Sequence, residues 1–127
     1  MNILIRRDIL FEVIAYITDS GNSPIEEYIE KLARLHKTQE IAQIKLYIDR
    51  LAEYGLKLNE KFPKSYKKLD DKIFELRPGN NRVLFFYFIG NQFVLLHGFR
   101  KSSQKTPKCE LKKANRERND FIRRQKS

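Results

Sequence analysis

Five polar side chains fall close together along three β-strands predicted in the second half of the chain. They comprise one carboxylate, one imidazole and three fixed cations: Glu75, Arg77, Arg82, His97 and Lys101. Such a set suits cleavage of a phosphodiester by internal transesterification. In that reaction a base removes the ribose 2′-OH proton, an acid protonates the leaving 5′ oxygen, and cations stabilise the phosphorane. This chemistry needs no metal, and we expect no cofactor.

Each of these side chains has a role that its chemistry suits. A histidine titrates near neutrality, so His97 could serve as acid or base, and Glu75, flanked by Arg77, could be the base. The planar forks of Arg77 and Arg82, together with Lys101, match the non-bridging oxygens of a phosphate. The simpler interpretation is that His97 is a strand-end histidine bonded to backbone, and that Glu75 and Arg77 form a surface ion pair.

The predicted pairing of the three strands follows from two turns, Pro78–Asn81 and Gly90-Asn91. A four-residue first turn and a two-residue second turn set the register of both hairpins. Because opposed residues share one face of a sheet, the polar residues would cluster at one end of one face. The opposed pairs that we expect are Glu75–Leu84, Ile73–Phe86, Phe86–Leu95, Leu84–His97 and Arg82–Phe99. A one-residue slip in either turn would scatter the cluster.

Around these strands the sequence predicts one α+β domain that spans residues 1–127. The predicted order is an N-terminal strand, a two-helix hairpin, a three-stranded antiparallel meander and a basic C-terminal helix. The strands are expected at residues 8–17, 72–77, 82–89 and 92–101. The second face of the meander, expected to bury against the helices, carries Phe74, Leu76, Val83, Phe85, Tyr87, Ile89, Val94 and Leu96.

Start and stop signals set the bounds of the predicted helices. Ser23-Pro24 predicts the beginning of the first helix, with a hydroxyl N-cap and a proline at the first helical position. Gly55 is placed to end the second helix, and the polar residues 58–66 predict a loop. Thr106-Pro107 repeats the cap-and-proline start and predicts a helix that runs to about Arg124.

The chain is strongly basic, with 26 Lys and Arg against 16 Asp and Glu and a net charge of +10. Eleven of the bases but only three of the acids lie in residues 97–127. A positive surface of this kind attracts a polyanion, either nucleic acid or an acidic protein segment. The alternative is a solvated basic helix that keeps the protein soluble.

Composition excludes several classes of protein. The single cysteine, Cys109, rules out an internal disulfide framework and a cysteine-rich zinc site. His36 and His97 are the only histidines, so a metal site is poorly supplied. No apolar run approaches the roughly 20 residues of a membrane span, and the first residues lack the apolar stretch of a signal peptide. We therefore expect a cytoplasmic protein that does not bind membranes.

A series of short motifs runs through the meander and the segment after it. In chain order they are Lys68-Leu69, Ile73-Phe74-Glu75-Leu76-Arg77, Asn81-Arg82-Val83-Leu84-Phe85-Phe86, Leu96-His97-Gly98-Phe99-Arg100-Lys101 and Lys105-Thr106-Pro107. Together they resemble the phage-derived HigB branch of the RelE toxin superfamily, over residues 8–124. Proteins of that branch are toxins of type II toxin–antitoxin modules, and they cleave mRNA, typically in the ribosomal A site, without a metal.

The resemblance implies a growth-inhibiting mRNA endoribonuclease, ribosome-dependent or free, with mRNA and the ribosome as partners. It also implies a helix-turn-helix antitoxin of the HigA kind, through which alone the toxin would reach operator DNA. By position, Arg82 matches the family's phosphate-clamping arginine, and Lys101 matches a basic residue just past the last strand. Lys68 and Lys105 are expected to contact RNA, and Phe99 to stack on a base.

Proton transfer is the role that the resemblance leaves open. Glu75 occupies a position where better-studied relatives have a lysine, and Pro107 stands nearest to the place of their tyrosine. His97, Lys105 or a residue outside the polar cluster could therefore supply the acid and the base. Two other functions also stay open: a ParE-like toxin that poisons DNA gyrase on the same scaffold, and a non-catalytic RNA-binding or co-repressor module.

Overall fold

The computed structural model describes residues 11–126, which form a five-stranded sheet with strand order β1-β5-β4-β3-β2. β1 and β5 run parallel, and the other neighbouring pairs are antiparallel. The strands in chain order are β1 (Glu12–Ala15), β2 (Tyr66–Lys68), β3 (Phe74–Leu76), β4 (Asn81–Tyr87) and β5 (Gln92–Arg100). The predicted α+β class is confirmed. Of the predicted first strand, residues 8–10 lie outside the described residues.

Helices cover both faces of the sheet. The predicted hairpin consists of α1 (Pro24–Arg34) and α2 (Thr38–Tyr54), and a 3₁₀ turn (Gly55–Lys57) and the short helix α3 (Leu58–Lys61) follow it. The basic helix α4 (Lys108–Gln125) packs on the opposite face. None of the helices between residues 11 and 126 is both long and apolar enough to cross a membrane.

The signals at the ends of the helix hairpin act as predicted. Ser23 Oγ accepts a hydrogen bond from the backbone N–H of Glu26 at 3.3 Å, which caps α1. Gly55 ends α2 with a φ of +60°, in the left-handed region that favours glycine.

The prediction of a loop at residues 58–66 is confirmed for residues 62–65 but wrong at both ends. Leu58 is fully buried and holds the helical turn of α3 against the core. The Asn59 amide then exchanges two hydrogen bonds of 3.0 Å with the backbone of Tyr66. This contact fixes β2 as an additional edge strand beside β3.

Two apolar cores lie on the two sides of the sheet. The core under α1 and α2 contains Ile25, Leu32, Ile44, Leu51, Leu58, Leu76, Val83, Phe85, Phe93 and Leu95. The core under α4 contains Tyr16, Ile73, Leu84, Phe86, Val94, Leu96, Ala114 and Phe121. Burial of this much apolar surface on both faces is the main term that stabilises such a sheet.

The β4–β5 hairpin departs from the predicted register at its turn and then returns to it. The connection is four residues long, 88–91, and is closed by a hydrogen bond from the Phe88 N–H to the Gln92 carbonyl, so the predicted two-residue turn is wrong. A β-bulge beside Leu84 then restores the register. Because the two irregularities cancel, the polar end of the sheet keeps the predicted pairs Glu75–Leu84, Leu84–His97 and Arg82–Phe99.

Between the turn and the bulge, each side chain of β5 lies on the side of the sheet opposite to the predicted one. Phe93 and Leu95 pack toward α1 and α2, whereas Val94 and Leu96 pack toward α4. Leu95 accordingly pairs with Phe85 rather than with the predicted Phe86. Two residues expected to be buried lie at the exposed end of the hairpin: Tyr87, 44% exposed, and Ile89, 75% exposed.

The segment before α4 also differs from prediction. The helix begins at Lys108 with Pro107 in the N-cap position and no side-chain hydrogen bond to cap it. Thr106, the predicted cap, instead donates its hydroxyl to Glu75 Oε2 at 2.6 Å. The threonine therefore ties the segment that precedes α4 to strand β3.

Gly98 allows α1 to pack closely on the sheet, and its replacement provides a stability test. A Cβ at this position would lie 2.7 Å from Tyr28 Cδ2 and 3.2 Å from Ile25 Cδ1. We predict that Gly98→Ala lowers the free energy of unfolding by about 1–3 kcal/mol, because the added atom overpacks the core. Urea denaturation measures the change. In a Tyr28→Ala background the same substitution should cost clearly less; an equal cost would show that the close approach is not the cause.

Candidate functional site

Glu75 lies at the polar end of the sheet with 0% of its surface exposed. Its Oε1 accepts a hydrogen bond from Arg77 Nε at 2.9 Å and lies 3.8 Å from Arg82 Nε. Its Oε2 accepts the hydroxyl of Thr106 at 2.6 Å. A buried carboxylate is costly unless it is paired and hydrogen-bonded. Glu75 therefore holds two guanidinium groups and one hydroxyl in fixed places. It is a buried carboxylate with three partners and not one half of a surface ion pair.

Arg82 is the buried cation of this group, with 6% of its surface exposed. Its Nη1 donates to the carbonyl oxygens of Gly79 at 2.8 Å and Asn81 at 2.9 Å. Desolvation lowers the pKa of Arg82, the charge of Glu75 raises it, and Arg77 lowers it further. An arginine side chain stays cationic despite such shifts. The structure thus presents a rigid, partly desolvated positive charge.

A narrow cleft contains most of the predicted site residues. Its walls are Glu75, Arg82, Phe99, Lys101, Ser103, Gln104, Lys105, Thr106 and Pro107. The Nη2 of Arg82 makes no hydrogen bond to any residue between 11 and 126, so that arm of the fork remains free to bind an anion. Residues 101–107 lie across the cleft so tightly that no water molecule fits inside.

An open groove of about 550 Å³ adjoins this cleft. The groove and the cleft share the wall formed by Gln104, Lys105 and Thr106. The other groove residues are Lys67, Lys68, Leu69, Lys108 and Leu111. Four lysines with an apolar floor suit a polyanionic chain that carries bases. Lys68 and Lys105, the expected RNA contacts, both line this groove.

The sequence did not single out Lys67 and Lys108 as groove residues. Lys67 lies on β2, most of which was assigned to no element, and Lys108 was treated only as one base of the predicted C-terminal helix. Only the packing of β2 beside the start of α4 brings these lysines together. The signals that could have found them are the lysine-rich stretch before the Glu-Leu-Arg motif and the closeness of Lys108 to Lys105.

His97 lies on the same face as Arg82 but outside the cleft. It is 2% exposed, and its Nδ1 and Nε2 lie 2.7 Å and 2.9 Å from carboxylate oxygens of Glu117 and Glu110. Each ring nitrogen is therefore occupied by a glutamate of α4, and neither is left for a proton at the cleft. His97 shares this face with Glu75 and Arg82, as predicted, but it does not line the cleft. The simpler idea of a backbone-bonded histidine is wrong.

The seven-residue spacing of Glu110 and Glu117 is the physical reason for this difference. Residues seven apart lie on one face of an α-helix, and α4 turns that face toward β5. The two glutamates bracket the imidazole and join the helix to the sheet. Arg77 also lies apart from the cleft and the groove, with its side chain 23% exposed and held on Glu75.

A second polar network fixes the beginning of β4 next to Arg82. Asn81 is fully buried; it accepts a hydrogen bond from the Tyr28 hydroxyl and donates to Glu40 Oε1 at 2.9 Å. Glu40 also accepts from Arg100 at 2.6 Å, and the bonds from Asn81 and Arg100 lower the pKa of its carboxyl. This network holds the Asn81 carbonyl that positions the Arg82 fork, and no motif in the sequence indicates it.

Comparison with known protein families identifies the family to which the chain belongs. Residues 28–119 match the family described as Phage derived protein Gp49-like (DUF891), a RelE/toxin-like family. The chain belongs to this family. All residues of the cleft and the groove in this Gp49-like protein lie within the matched part. A search of curated proteins gave no match to the chain. Within residues 11–126 no group of three His, Cys, Asp or Glu side chains is arranged to hold a metal ion.

The position of His97 predicts a structural effect of its removal. We expect His97→Gln to lower the free energy of unfolding by about 1–3 kcal/mol, because it leaves carboxylate oxygens under the helix without their hydrogen-bond partner. Urea denaturation measures this loss. The double variant His97→Gln/Glu117→Gln should regain part of it, since one uncompensated charge is then gone. Unchanged stability together with lost biological activity would contradict the structural role and indicate that His97 takes part in the chemistry.

The groove predicts a specific dependence of RNA binding on salt. Replacing Lys68 or Lys105 by alanine should weaken binding of single-stranded RNA and reduce the slope of log K against log salt by about 0.7 each. Fluorescence anisotropy over a range of salt concentrations measures both quantities. Lys61→Ala, an exposed lysine on α3 outside the groove, is the matched control. Equal slopes for all three variants would contradict the assignment of the groove.

Proposed function

We propose that this protein is the toxin of a type II toxin–antitoxin system, of the HigB kind, and that it cleaves mRNA by internal transesterification without a metal. One observation carries this proposal. A buried arginine with a free arm lies in a cleft that shares a wall with a four-lysine groove. Such a fixed cation stabilises a bound phosphate most strongly when it becomes a dianionic phosphorane, because the cation does not have to reorganise as the charge develops.

The roles of the side chains follow from their places. The RNA backbone lies along the lysines of the groove, and the scissile phosphate is bound by Arg82 and Lys101 in the cleft. Phe99, which lines the cleft, stacks on a neighbouring base. Lys105 lines both the cleft and the groove, so its ammonium group is placed to protonate the leaving 5′ oxygen. His97 and Arg77 have positioning roles in this scheme.

Access to Arg82 requires a movement of residues 101–105, while Thr106 stays bonded to Glu75. These residues have no helical or strand structure between β5 and α4, and they close the cleft in the free protein. Binding of RNA phosphates in the groove beside them supplies the free energy for opening. A ribosome-bound mRNA, extended and held in place, is a suitable substrate because the ribosome has already reduced the conformational entropy that the RNA would lose on binding.

The proposed partners follow from the charge of the protein. Its excess of bases suits RNA, the ribosome, and an antitoxin that offers acidic segments. We propose a helix-turn-helix antitoxin of the HigA kind, which binds operator DNA and through which alone this protein associates with that DNA. The proposed site of action is the cytoplasm, where translating ribosomes occur.

Replacement of Arg82 tests the proposed function. We expect Arg82→Ala to abolish growth inhibition and to reduce mRNA cleavage by at least about 100-fold, because the preorganised cation is lost. Induction in a growing culture and primer extension on a reporter mRNA measure the two effects. Arg34→Ala on α1, outside the cleft and the groove, is the matched control.

A second variant and the identity of the cleaved nucleic acid complete this test. Arg82→Lys retains the charge and provides a second variant if the alanine variant does not fold, as judged by circular dichroism. It should remain strongly impaired, since a lysine lacks the second donor arm of the fork. Full toxicity of both variants contradicts the proposal. Broken DNA with intact mRNA would instead identify a gyrase poison, and RNA binding without either product a co-repressor.

A further inference from the structure

Thr106 is the side chain that connects the buried carboxylate to the open groove. Its hydroxyl donates to Glu75 Oε2 at 2.6 Å, and the residue itself is half-buried. Glu75 makes its other contacts with Arg77 and Arg82. Of these three partners, only Thr106 also lines the groove. A proton from a ligand in the groove therefore has a direct route to Glu75 through the threonine hydroxyl.

The backbone holds this hydroxyl in place before any ligand binds. Pro107 follows Thr106 and has a φ of −59° and a ψ of 141°. The proline ring restricts its own φ and keeps the preceding residue in extended conformations. The helix α4 has no side-chain cap at this position, although a capping hydroxyl stabilises most helix N-termini. The hydrogen bond to Glu75 thus replaces a stabilising local contact.

We propose that Thr106 is a catalytic residue that relays the ribose 2′-OH proton to Glu75, an inference that rests on the RNA cleavage proposed above. The 2′-OH proton moves to Thr106 Oγ1 while the Thr106 hydroxyl proton moves to Glu75 Oε2. The 2′ oxygen then forms a bond to phosphorus, the bond to the 5′ oxygen breaks, and the 5′ oxygen takes a proton from the Lys105 ammonium. The products are a 2′,3′-cyclic phosphate and a 5′-hydroxyl, and atoms and electrons balance.

Other groups near the scissile bond suit the base role less well. Lysine and arginine side chains are protonated near neutrality and donate rather than accept. Both nitrogens of His97 are bonded to Glu110 and Glu117. Glu75 is the one carboxylate among the residues that line the cleft, but its complete burial keeps it from touching a substrate directly. The relay gives this carboxylate a path to the 2′-OH.

Thr106→Val tests the relay because it keeps the shape of the side chain and removes the hydroxyl. We expect the single-turnover rate on ribosome-bound reporter mRNA to fall about 100-fold, the usual contribution of a general base. RNA affinity should change less than about twofold, because no phosphate contact is lost. Thr106→Ser retains a hydroxyl and should recover the rate to within about tenfold. Thr38→Val, an exposed threonine on α2, is the matched control.

The pH dependence separates a proton relay from a merely structural role. The charged groups that face Glu75 are Arg77, Arg82, Lys101 and Lys105, and Lys67 opposite it on β2. All of these types remain cationic below neutrality, so a falling rate at acidic pH reports the carboxylate. The wild-type rate should show this acidic limb, and the residual rates of Thr106→Val and Glu75→Gln should not. The double variant should be no slower than either single variant, since both changes break the same relay.

The outcomes distinguish this inference from the proposed function. If wild-type protein cleaves no mRNA, the proposed function fails. If it cleaves and Thr106→Val cleaves at an equal or higher rate, the relay is overturned and Thr106 serves only to close the cleft. An acidic limb that persists in both variants, or a serine variant as slow as the valine variant, also overturns the relay.

Discussion

The ion pairs of Glu75 with Arg77 and Arg82, completed by the hydroxyl of Thr106, form the interaction on which the remaining site depends. A carboxylate with no exposed surface needs all these partners. In satisfying them it fixes a guanidinium fork on β4 and draws the segment before α4 across the sheet. The cleft, the groove and their shared wall follow from that single buried charge.

The division of charge on α4 explains how one helix serves both stability and binding. Its acids face the sheet, where Glu110 and Glu117 hold His97 and where Asp120 accepts the Tyr16 hydroxyl at 2.6 Å. Burial and this hydrogen bond raise the pKa of Tyr16 to about 12. The bases of α4 lie mostly on the opposite, exposed side. The acidic contacts keep the helix docked while its positive face remains available to a polyanion.

Much of the fold was predictable because its signals are local. The cap at Ser23, the end of α2 at Gly55 and the alternation of the meander strands each depend on a few neighbouring residues. The polar end of the β4–β5 hairpin was also predicted in register, although by two errors that cancel, a longer turn and a bulge. Neither irregularity is marked by a residue type that requires it.

The site was predictable only in part because its remaining features depend on contacts distant in sequence. Glu75, Arg82, Phe99, Lys101 and Lys105 meet in the cleft since strand pairing brings most of them together. His97 does not line the cleft, because both of its ring nitrogens contact glutamates of α4. Capping rules assigned the hydroxyl oxygen of Thr106 as an acceptor for its own helix, but in the structure the hydroxyl donates to the buried carboxylate on β3.

The chemistry of the RNA ends tests the central claim most directly. Reporter mRNA from a translating extract can be treated with a kinase that labels only 5′-hydroxyl ends and with a phosphatase that opens 2′,3′-cyclic phosphates. The account predicts new fragments that carry 5′-hydroxyl and 2′,3′-cyclic phosphate ends. Fragments with 5′-phosphate and 3′-hydroxyl ends, or mRNA that stays intact while growth stops, would contradict it.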